Sequence, residues 1–534
     1  MSDSRLWWRD GVIYQIYPRS FMDSNADGLG DLNGIRSRLD YLQQLGVDAI
    51  WLSPIYPSPD KDFGYDVSDY TGIDPRYGSM GDFDNLVLAA HQRGIHIILD
   101  LVLNHTSDQH PWFKESRSSR ENPYRDWYLW RPAQPDGSPP NNWQSIFGGG
   151  GWKLDPLTNE YYFHMFLPEQ PDVNWRNPAV RQAMLAVFRF WLERGVDGFR
   201  LDVFNAYFKD ADLKNNPSCP GLRAFDRQRH INDADQPEMI PLLQEIRALL
   251  DKYPERYMVG ETFLATPRKA IFYTGRDKAH AAFNFSFTGQ PWNAEKMRRA
   301  IQEWEELNGP DGWPNYVLNN HDTRRSASRY HFADDDVRAK AAAMLLLTLR
   351  GTPFLYYGEE IGMRDVSMKY SEIMDPPGKL YWPIFPGRDG CRSPMQWDAS
   401  VQAGFSPARP WLKVHPAFRE RNAAEQQADP DSLLNFYQTM VKLRREHASL
   451  HRGSYTLISD TPRGVLAYLR QAGNERMLVA INFTRGKKIL RIPEGYRLSI
   501  LLDTKPKSAA MIDEQGNLHL HGDQGVILML SGAD

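Results

Sequence analysis

Cysteine is nearly absent. Cys219 and Cys391 are the only two in 534 residues, far apart and without CxxC spacing, so neither a disulfide framework nor a thiolate metal site is expected. No run of Lys or Arg marks a phosphate-binding face, and the formal net charge is only −4, which argues against nucleic acid as a partner. No window offers about 18 uninterrupted apolar residues, so no membrane partner is expected. The start, Met1 to Asp10, is charged and lacks the apolar core of a secretory signal. A soluble protein of the reducing cytoplasm is the expectation. Zinc spacing of the HExxH kind is missing, and no Gly-rich dinucleotide fingerprint follows the first apolar strand.

Length and rhythm supply the positive information. The chain is too long for one ordinary core, but one large barrel with inserts plus a smaller domain fits. Val12 to Tyr17 alternates as a β-prone strand. Ile35, Leu39, Leu42 and Leu45 then recur at helical spacing, Gly46 ends the helix, and Val47 to Leu52 resumes as a strand. The phrase returns through Phe83, Leu86 and Ala90 to Gly94 and the strand Ile95 to Val102. It returns again through Val180, Met184, Val187, Phe188, Trp191 and Leu192 to Gly195 and a strand ending at Asp202. A last clear copy runs from Ala341 to Leu349, Gly351 and Pro353 to Tyr357, with further strands placed at Tyr257 to Gly260, Ala281 to Phe285 and Tyr316 to Leu318.

Repeated helix–Gly–strand units imply a parallel sheet, and this number of them makes an α/β fold of the (β/α)8 TIM barrel kind the leading expectation; a doubly wound open sheet is the rival, disfavoured by the missing dinucleotide fingerprint. Residues 1–105 and 174–453 form the barrel. Residues 106–173, rich in Pro, Gly, Asn and Trp and without a good helix, form an inserted subdomain after the third strand. A second irregular stretch, 361–418, follows the eighth strand. From 454 to 534 alternating segments around Gly473-Asn474 predict a C-terminal antiparallel β-sandwich.

Asp100, Asp202, Glu261 and Asp322 all fall at the ends of proposed strands. On the rim of one barrel they converge on a single mouth. Paired carboxyls in opposed protonation states are the machinery of glycoside cleavage; helix caps and Arg pairs are the alternative for any one of them. Asp100-Leu-Val-Leu-Asn104-His105, Gly198-Phe-Arg200-Leu-Asp202, Gly260-Glu261-Thr262 and Asn320-His321-Asp322 are similar, in order and spacing, to the four signature segments of the α-amylase family of glycoside hydrolases. The resemblance extends over nearly the whole chain. Gln15-Ile-Tyr-Pro-Arg-Ser20, Asp62-Phe-Gly-Tyr65-Asp66 and Arg392-Ser-Pro-Met-Gln-Trp397 look like its α-glucosidase and oligo-1,6-glucosidase branch.

The resemblance implies that Asp202 is the nucleophile, Glu261 the acid and base, and Asp322 the group that holds the sugar's 2- and 3-hydroxyls. The two catalytic carboxyls are then expected roughly 5 to 5.5 Å apart. Arg200, on the strand of Asp202, is expected to keep it ionised, and His105 and His321 resemble the family's donors to sugar hydroxyls. Asp62, beside Tyr65, is expected to meet Arg392 across the mouth and close the site behind a terminal glucose; a surface ion pair is the alternative. Phe147 and Phe163 are stacking candidates or ordinary packing. Val203, after the nucleophile, leans toward α-1,6 linkages.

Asp23, Asn25 and Asp27, then Gly28, the carbonyl of Leu29 and Asp31 match the first nine places of a calcium loop. Gly34 stands where an EF-hand has its final Glu, so this is not an EF-hand; the family resemblance implies a structural Ca2+ or Mg2+ in this loop, and an Asx-rich turn without an ion is the alternative. No catalytic cofactor is expected. The leading reading is a retaining exo-α-glucosidase acting on short α-glucosides and oligosaccharides. A transglucosylase or isomerase passing the glucosyl group to a sugar or alcohol acceptor is the second. Thr323-Arg324-Arg325, where many relatives have Gln-Pro-Arg, bears on that choice. An inactive scaffold, like transporter heavy chains of similar fold, is disfavoured by the complete acid set and the missing membrane helix. The sequence does not indicate an oligomeric state.

Overall fold

The computed structural model describes residues 5–333, 336–492 and 496–532. The first four residues of the charged start, and the last two of the C-terminal domain, lie outside it. Eight parallel strands form a nearly closed barrel: β1 Ile13–Ile16, β2 Ala49–Leu52, β3 His96–Leu101, β4 Gly198–Leu201, β5 Tyr257–Gly260, β6 Ala281–Ala282, β7 Asn315–Val317 and β8 Thr352–Tyr356. They follow one another around the ring, with β8 paired to β1 and β7 to β8. No ladder joins β6 to β7 among the described residues; instead the Thr288 hydroxyl donates to the Val317 carbonyl at 2.8 Å. No helix of the described residues is long and apolar enough to cross a membrane.

The helix Pro178–Glu193 shows why the units fold as they do. Asn177 caps its first turn by accepting from the Ala179 N–H, and Pro178 occupies the first helical position. Val180, Met184, Val187, Phe188 and Trp191 make one buried face, and Gly195 at φ +90° turns the chain into β4. Two expected elements differ. The helix before β2 is two pieces, Leu32–Ser37 and Leu39–Leu45, parted at Arg38. β6 is short because Asn284 accepts from the Phe287 N–H and starts a helix at Phe285.

The segment between β3 and Pro178 carries a three-stranded antiparallel sheet of Trp130–Arg131, Trp152–Asp155 and Glu160–Phe163. It also contains a helix, Pro111–Ser118, where none was expected. Its start is His110, whose Nδ1 accepts from the Trp112 N–H, followed by a Pro at the first helical position. The C-terminal region is two antiparallel sheets of five and three strands. Gly473 and Asn474 make the two-residue turn between Val465–Ala472 and Glu475–Asn482. Alternation sorts the faces: Val465, Ala467, Leu478 and Ala480 pack against Leu490 and Leu518 of the smaller sheet, while Leu466, Tyr468, Val479 and Ile481 join the barrel's core.

Glu359 and Glu360, just past β8, are buried without an ion pair among the described residues. Glu359 accepts from Tyr437 at 3.1 Å and Asn319 at 3.0 Å, and burial pushes its carboxyl up to about 8. The folded state therefore holds this proton more tightly than the unfolded chain, so the stabilisation is complete below the unfolded value of 4.5 and is lost as pH rises toward about 8. In Glu359→Gln this part of the decline in Tm disappears. Parallel Tm-against-pH curves for variant and wild type between pH 5 and 8 would contradict it.

Candidate active site

Parallel register assembles the first half of the site. Asp100 on β3 lies opposite Arg200 on β4, and Leu201 opposite Gly260 on β5, so Asp202 and Glu261 leave adjacent strands side by side. The buried Arg200 guanidinium gathers them. Its Nη1 donates to Asp100 Oδ1 and Asp202 Oδ1, both at 2.6 Å, and Nη2 donates to Glu261 Oε2. Tyr65 and Trp51 donate to the second oxygen of Asp100 at 3.1 and 3.2 Å. Gly260 is required here, since a Cβ would overlap the Phe204 ring. Val203 follows Asp202 at φ +34° and ψ +39°, a left-handed conformation that costs a β-branched residue on the order of 1–3 kcal/mol.

One guanidinium facing three carboxyls leaves negative charge in excess. Burial pushes Asp202 well above the ordinary carboxylate range; Arg200 opposes this, and Glu261 and Asp100 add to it. Burial likewise lifts Asp100 to about 6 against Arg200. Arg200 thus acts on Asp202 in the expected direction, but burial outweighs it. Asp100 and Asp202 both hold their protons to higher pH than an isolated aspartate.

A second arginine cluster forms the rear wall, and it corrects the expected pairing. Arg392 does not meet Asp62. It is buried, donating to the His321 carbonyl at 2.8 Å and to Asp322 Oδ1 at 2.9 Å. Arg388 is the residue that reaches Asp62, at 2.8 Å, and it also holds Asp322 at 3.1 Å and Asp375 at 2.7 Å. Burial disfavours the Asp322 anion, but His321, Arg388 and Arg392 outweigh it and hold the carboxyl well below its usual range. Arg388 and Asp375 were missed by sequence reasoning. The available signal was charge count, since Asp62 and Asp322 together ask for more than the one cation assigned to them.

His321 lies between Gln15 Nε2 at 2.8 Å, the Tyr65 hydroxyl at 2.6 Å and Asp322 at 3.2 Å, stacked on the Tyr65 ring. His105 Nε2 is 3.0 Å from the Tyr65 carbonyl and 3.1 Å from Gln170 Nε2, and Gln170 donates on to Asp62. Burial pushes His321 down to about 3 and His105 to about 4, so both are neutral near pH 7.

These groups border a cavity of about 270 Å³, below the roughly 300–1,000 Å³ of drug-sized sites and suited to a short ligand. Asp62, Tyr65, His105, Asp202, Val203, Glu261, Asp322 and Phe147 all line it. Arg200 and His321 lie behind that lining. Ile146, Phe166, Phe263, Pro377 and Phe385 complete an apolar side. Phe163 does not belong there. It is 1 % exposed, packed against Trp143 and Trp152 in the insert's sheet, because its strand position faces the insert's own core.

The Asp23 to Asp31 loop stands apart from the cavity. Asp23 accepts from the N–H groups of Asn25, Ala26 and Gly28 and from Ser406. Asp27 accepts from Asn25 and the Leu29 N–H, and Asp31 from Ser24 and Gly34. No basic side chain of the described residues is shown pairing with the three carboxylates. An oxygen-only donor set with uncompensated charge fits a hard divalent cation.

A family model described as alpha amylase, catalytic domain, matches residues 15–453. The chain is 41% identical over 530 residues to the oligo-1,6-glucosidase of Parageobacillus thermoglucosidasius, covering 92% of each. It is 40% identical over 515 residues to an alpha-glucosidase of Pediococcus pentosaceus, covering 89% of this chain and 91% of that protein. Among solved structures, the alpha-glucosyl transfer enzyme XgtA superposes with a TM-score of 0.94 at 40% identity, over 99% of this chain and 100% of that one.

Proposed function

The chain belongs to the α-amylase family of glycoside hydrolases, and from that premise we propose that its cavity removes glucose from the non-reducing end of short α-glucosides with retention of configuration. The observation that carries the reading is Arg200, whose single guanidinium touches both Asp202 and Glu261. We read the shared guanidinium as holding the two carboxyls at the short spacing of a retaining pair, about 5 to 5.5 Å, rather than the wider one that leaves room for a water. Asp202 attacks the anomeric carbon. Glu261 gives its proton to the leaving oxygen and then takes one from water. These roles need Asp202 as the anion, a form that Arg200 favours against burial. Asp322, kept anionic by Arg388 and Arg392, accepts hydrogen bonds from ring hydroxyls. Asp62 and Arg388 close the rear and present a donor and an acceptor to the terminal sugar's 4-hydroxyl, which makes the action exo.

A second outcome for the same intermediate is transfer to a sugar or alcohol. It is favoured by the open side of the cavity, where Ile146, Phe147, Phe166, Phe263, Pro377 and Phe385 offer apolar contacts and Arg223 is the charged exception. The likeness to a glucosyl transfer enzyme points the same way. Arg324 and Arg325 are not part of that lining: Arg324 pairs with Asp365 at 3.0 Å, and buried Arg325 donates to the Tyr357 carbonyl at 2.7 Å. Val203 lines the cavity and leans the proposal toward α-1,6 linkages, an effect of about 1–3 kcal/mol for a methyl-sized change. Comparing kcat/KM on maltose, isomaltose, sucrose and maltotetraose, with product analysis, separates linkage from transfer. We place the enzyme in the cytoplasm, where the free thiols of Cys219 and Cys391 stay reduced.

Asp202→Asn and Glu261→Gln are expected to keep the wild-type Tm and lose activity by orders of magnitude; near-normal turnover in either overturns the assignment. NMR of the first glucose formed is expected to show the α-anomer. An initial β-anomer rules out retention. Arg200 favours ionised carboxyls, so in Arg200→Lys, whose point charge cannot serve three of them, the acid limb of kcat/KM moves to higher pH. An unmoved limb in the residual activity contradicts this.

We also propose that the side chains of Asp23, Asn25, Asp27 and Asp31 with the Leu29 carbonyl hold a structural Ca2+ or Mg2+. Such an ion would neutralise the loop's carboxylates and staple it to the 361–418 stretch, which Ser406 and Trp411 already join. Exhaustive chelation is expected to lower Tm and re-addition to restore it. An unchanged Tm with no metal detected in the purified protein counts against the site.

A further inference from the structure

At the end of the barrel opposite the cavity, three ligating side chains from separate elements converge. His91 closes the helix Met80–His91, His96 opens β3, and Asp197 immediately precedes β4. Their ligand atoms lie within 4.8 Å of one another. His91 Nε2 is 2.7 Å from Asp197 Oδ2, and His96 Nδ1 is 3.3 Å from Asp197 Oδ1. We propose that these residues form a Zn2+ site unconnected with catalysis.

The chemistry favours zinc over the hard cations. Two imidazole nitrogens and one carboxylate oxygen are the ligands of open tetrahedral zinc centres, with water completing the shell, whereas Ca2+ and Mg2+ take oxygen. Bonds of about 2.0–2.1 Å set tetrahedral ligand atoms about 3.3 Å apart, so binding needs a local adjustment in which the 2.7 Å His91–Asp197 pair opens and the wider separations, up to 4.8 Å, close. His91 supplies it, being at an exposed helix end.

The other two ligands are already held. The Ile97 N–H donates to Asp197 Oδ2 at 2.8 Å, and Arg256 donates to Oδ1 at 3.0 Å. Arg256 competes for the carboxylate but engages Oδ1, which leaves Oδ2 facing His91. Trp7 stacks on the His96 ring with centroids 4.5 Å apart and fixes its orientation. His96 Nδ1 is buried without a hydrogen-bond partner despite pointing at this carboxylate. A metal ion gives that nitrogen the bond it lacks. The catalytic carboxyl nearest along the chain is Asp202, five residues past Asp197 at the other end of β4 and about 16 Å away along the strand, so the ion does not touch substrate.

The test is calorimetric titration of the full-length, chelator-treated enzyme with Zn2+ alone, in saturating Mg2+ and Ca2+ so that the Asp23 to Asp31 loop is silent. One saturable equivalent with a rise in Tm is expected. His91→Gln and His96→Gln should each weaken binding by more than about tenfold, with activity and zinc-free Tm unchanged. His519→Gln, which removes an isolated His–Asp pair of 2.9 Å, should leave binding as it was. Absence of saturable binding, or binding unaltered in both the His91 and His96 variants, overturns the site and leaves the three residues as an ion-pair cluster.

Discussion

The structure depends on one buried charge. Arg200 is removed from water, a cost of several kcal/mol that only close charged partners offset; its two terminal nitrogens find them, while Nε has none among the described residues. Asp100, Asp202 and Glu261 provide those partners from three neighbouring strands. The arrangement therefore demands correct register across β3, β4 and β5, the absence of a side chain at Gly260 and the strained turn at Val203. Strain in a β-branched residue beside Asp202 is tolerated because the surrounding ladders leave Asp202 no other place. The same charge bears on the chemistry, since it opposes the burial that disfavours the anions of Asp100 and Asp202.

A second buried arginine cluster gives the cavity its closed end. Arg388 and Arg392 come from the irregular 361–418 stretch, and Asp62 and Asp322 from the loops after β2 and β7. Three chain segments distant in sequence therefore meet at the rear wall, and Asp375, from the same stretch as Arg388, holds it from behind. Gln170 from the insert reaches the same Asp62 and lies beside His105. The insert and the excursion thus act as one wall, and substrate length is limited by how these segments dock on the barrel rather than by the barrel itself.

What the sequence made legible was what local physics decides. Helix faces ending on glycine and followed by apolar strands identified the barrel, and carboxyls at strand ends identified Asp100, Asp202, Glu261 and Asp322. What it hid was decided by chain paths. Arg388 and Arg392 stand four apart in one loop, and only the course of the backbone decides which of them turns toward Asp62. Phe163 and Phe147 are both aromatic residues of the insert, yet one fills its interior and the other borders the cavity. The helix Pro111–Ser118 was lost in a proline-rich background although its capping histidine and following proline were a valid start signal. The left-handed turn at Val203 has no signature at all, because nothing in a valine announces φ +34°.

The claim on which the account rests is that, of the carboxyls sharing Arg200, Asp202 alone bonds to the sugar. Asp100 touches the same guanidinium nitrogen at the same 2.6 Å, so the distinction is a real one. It is tested by trapping the intermediate with a fluorinated α-glucosyl fluoride that forms the glucosyl ester and hydrolyses it slowly, followed by peptide mapping by mass spectrometry. The account predicts one label per chain, on Asp202. A label on Asp100, Glu261 or Asp322, or turnover of the reagent with no covalent adduct, would contradict it.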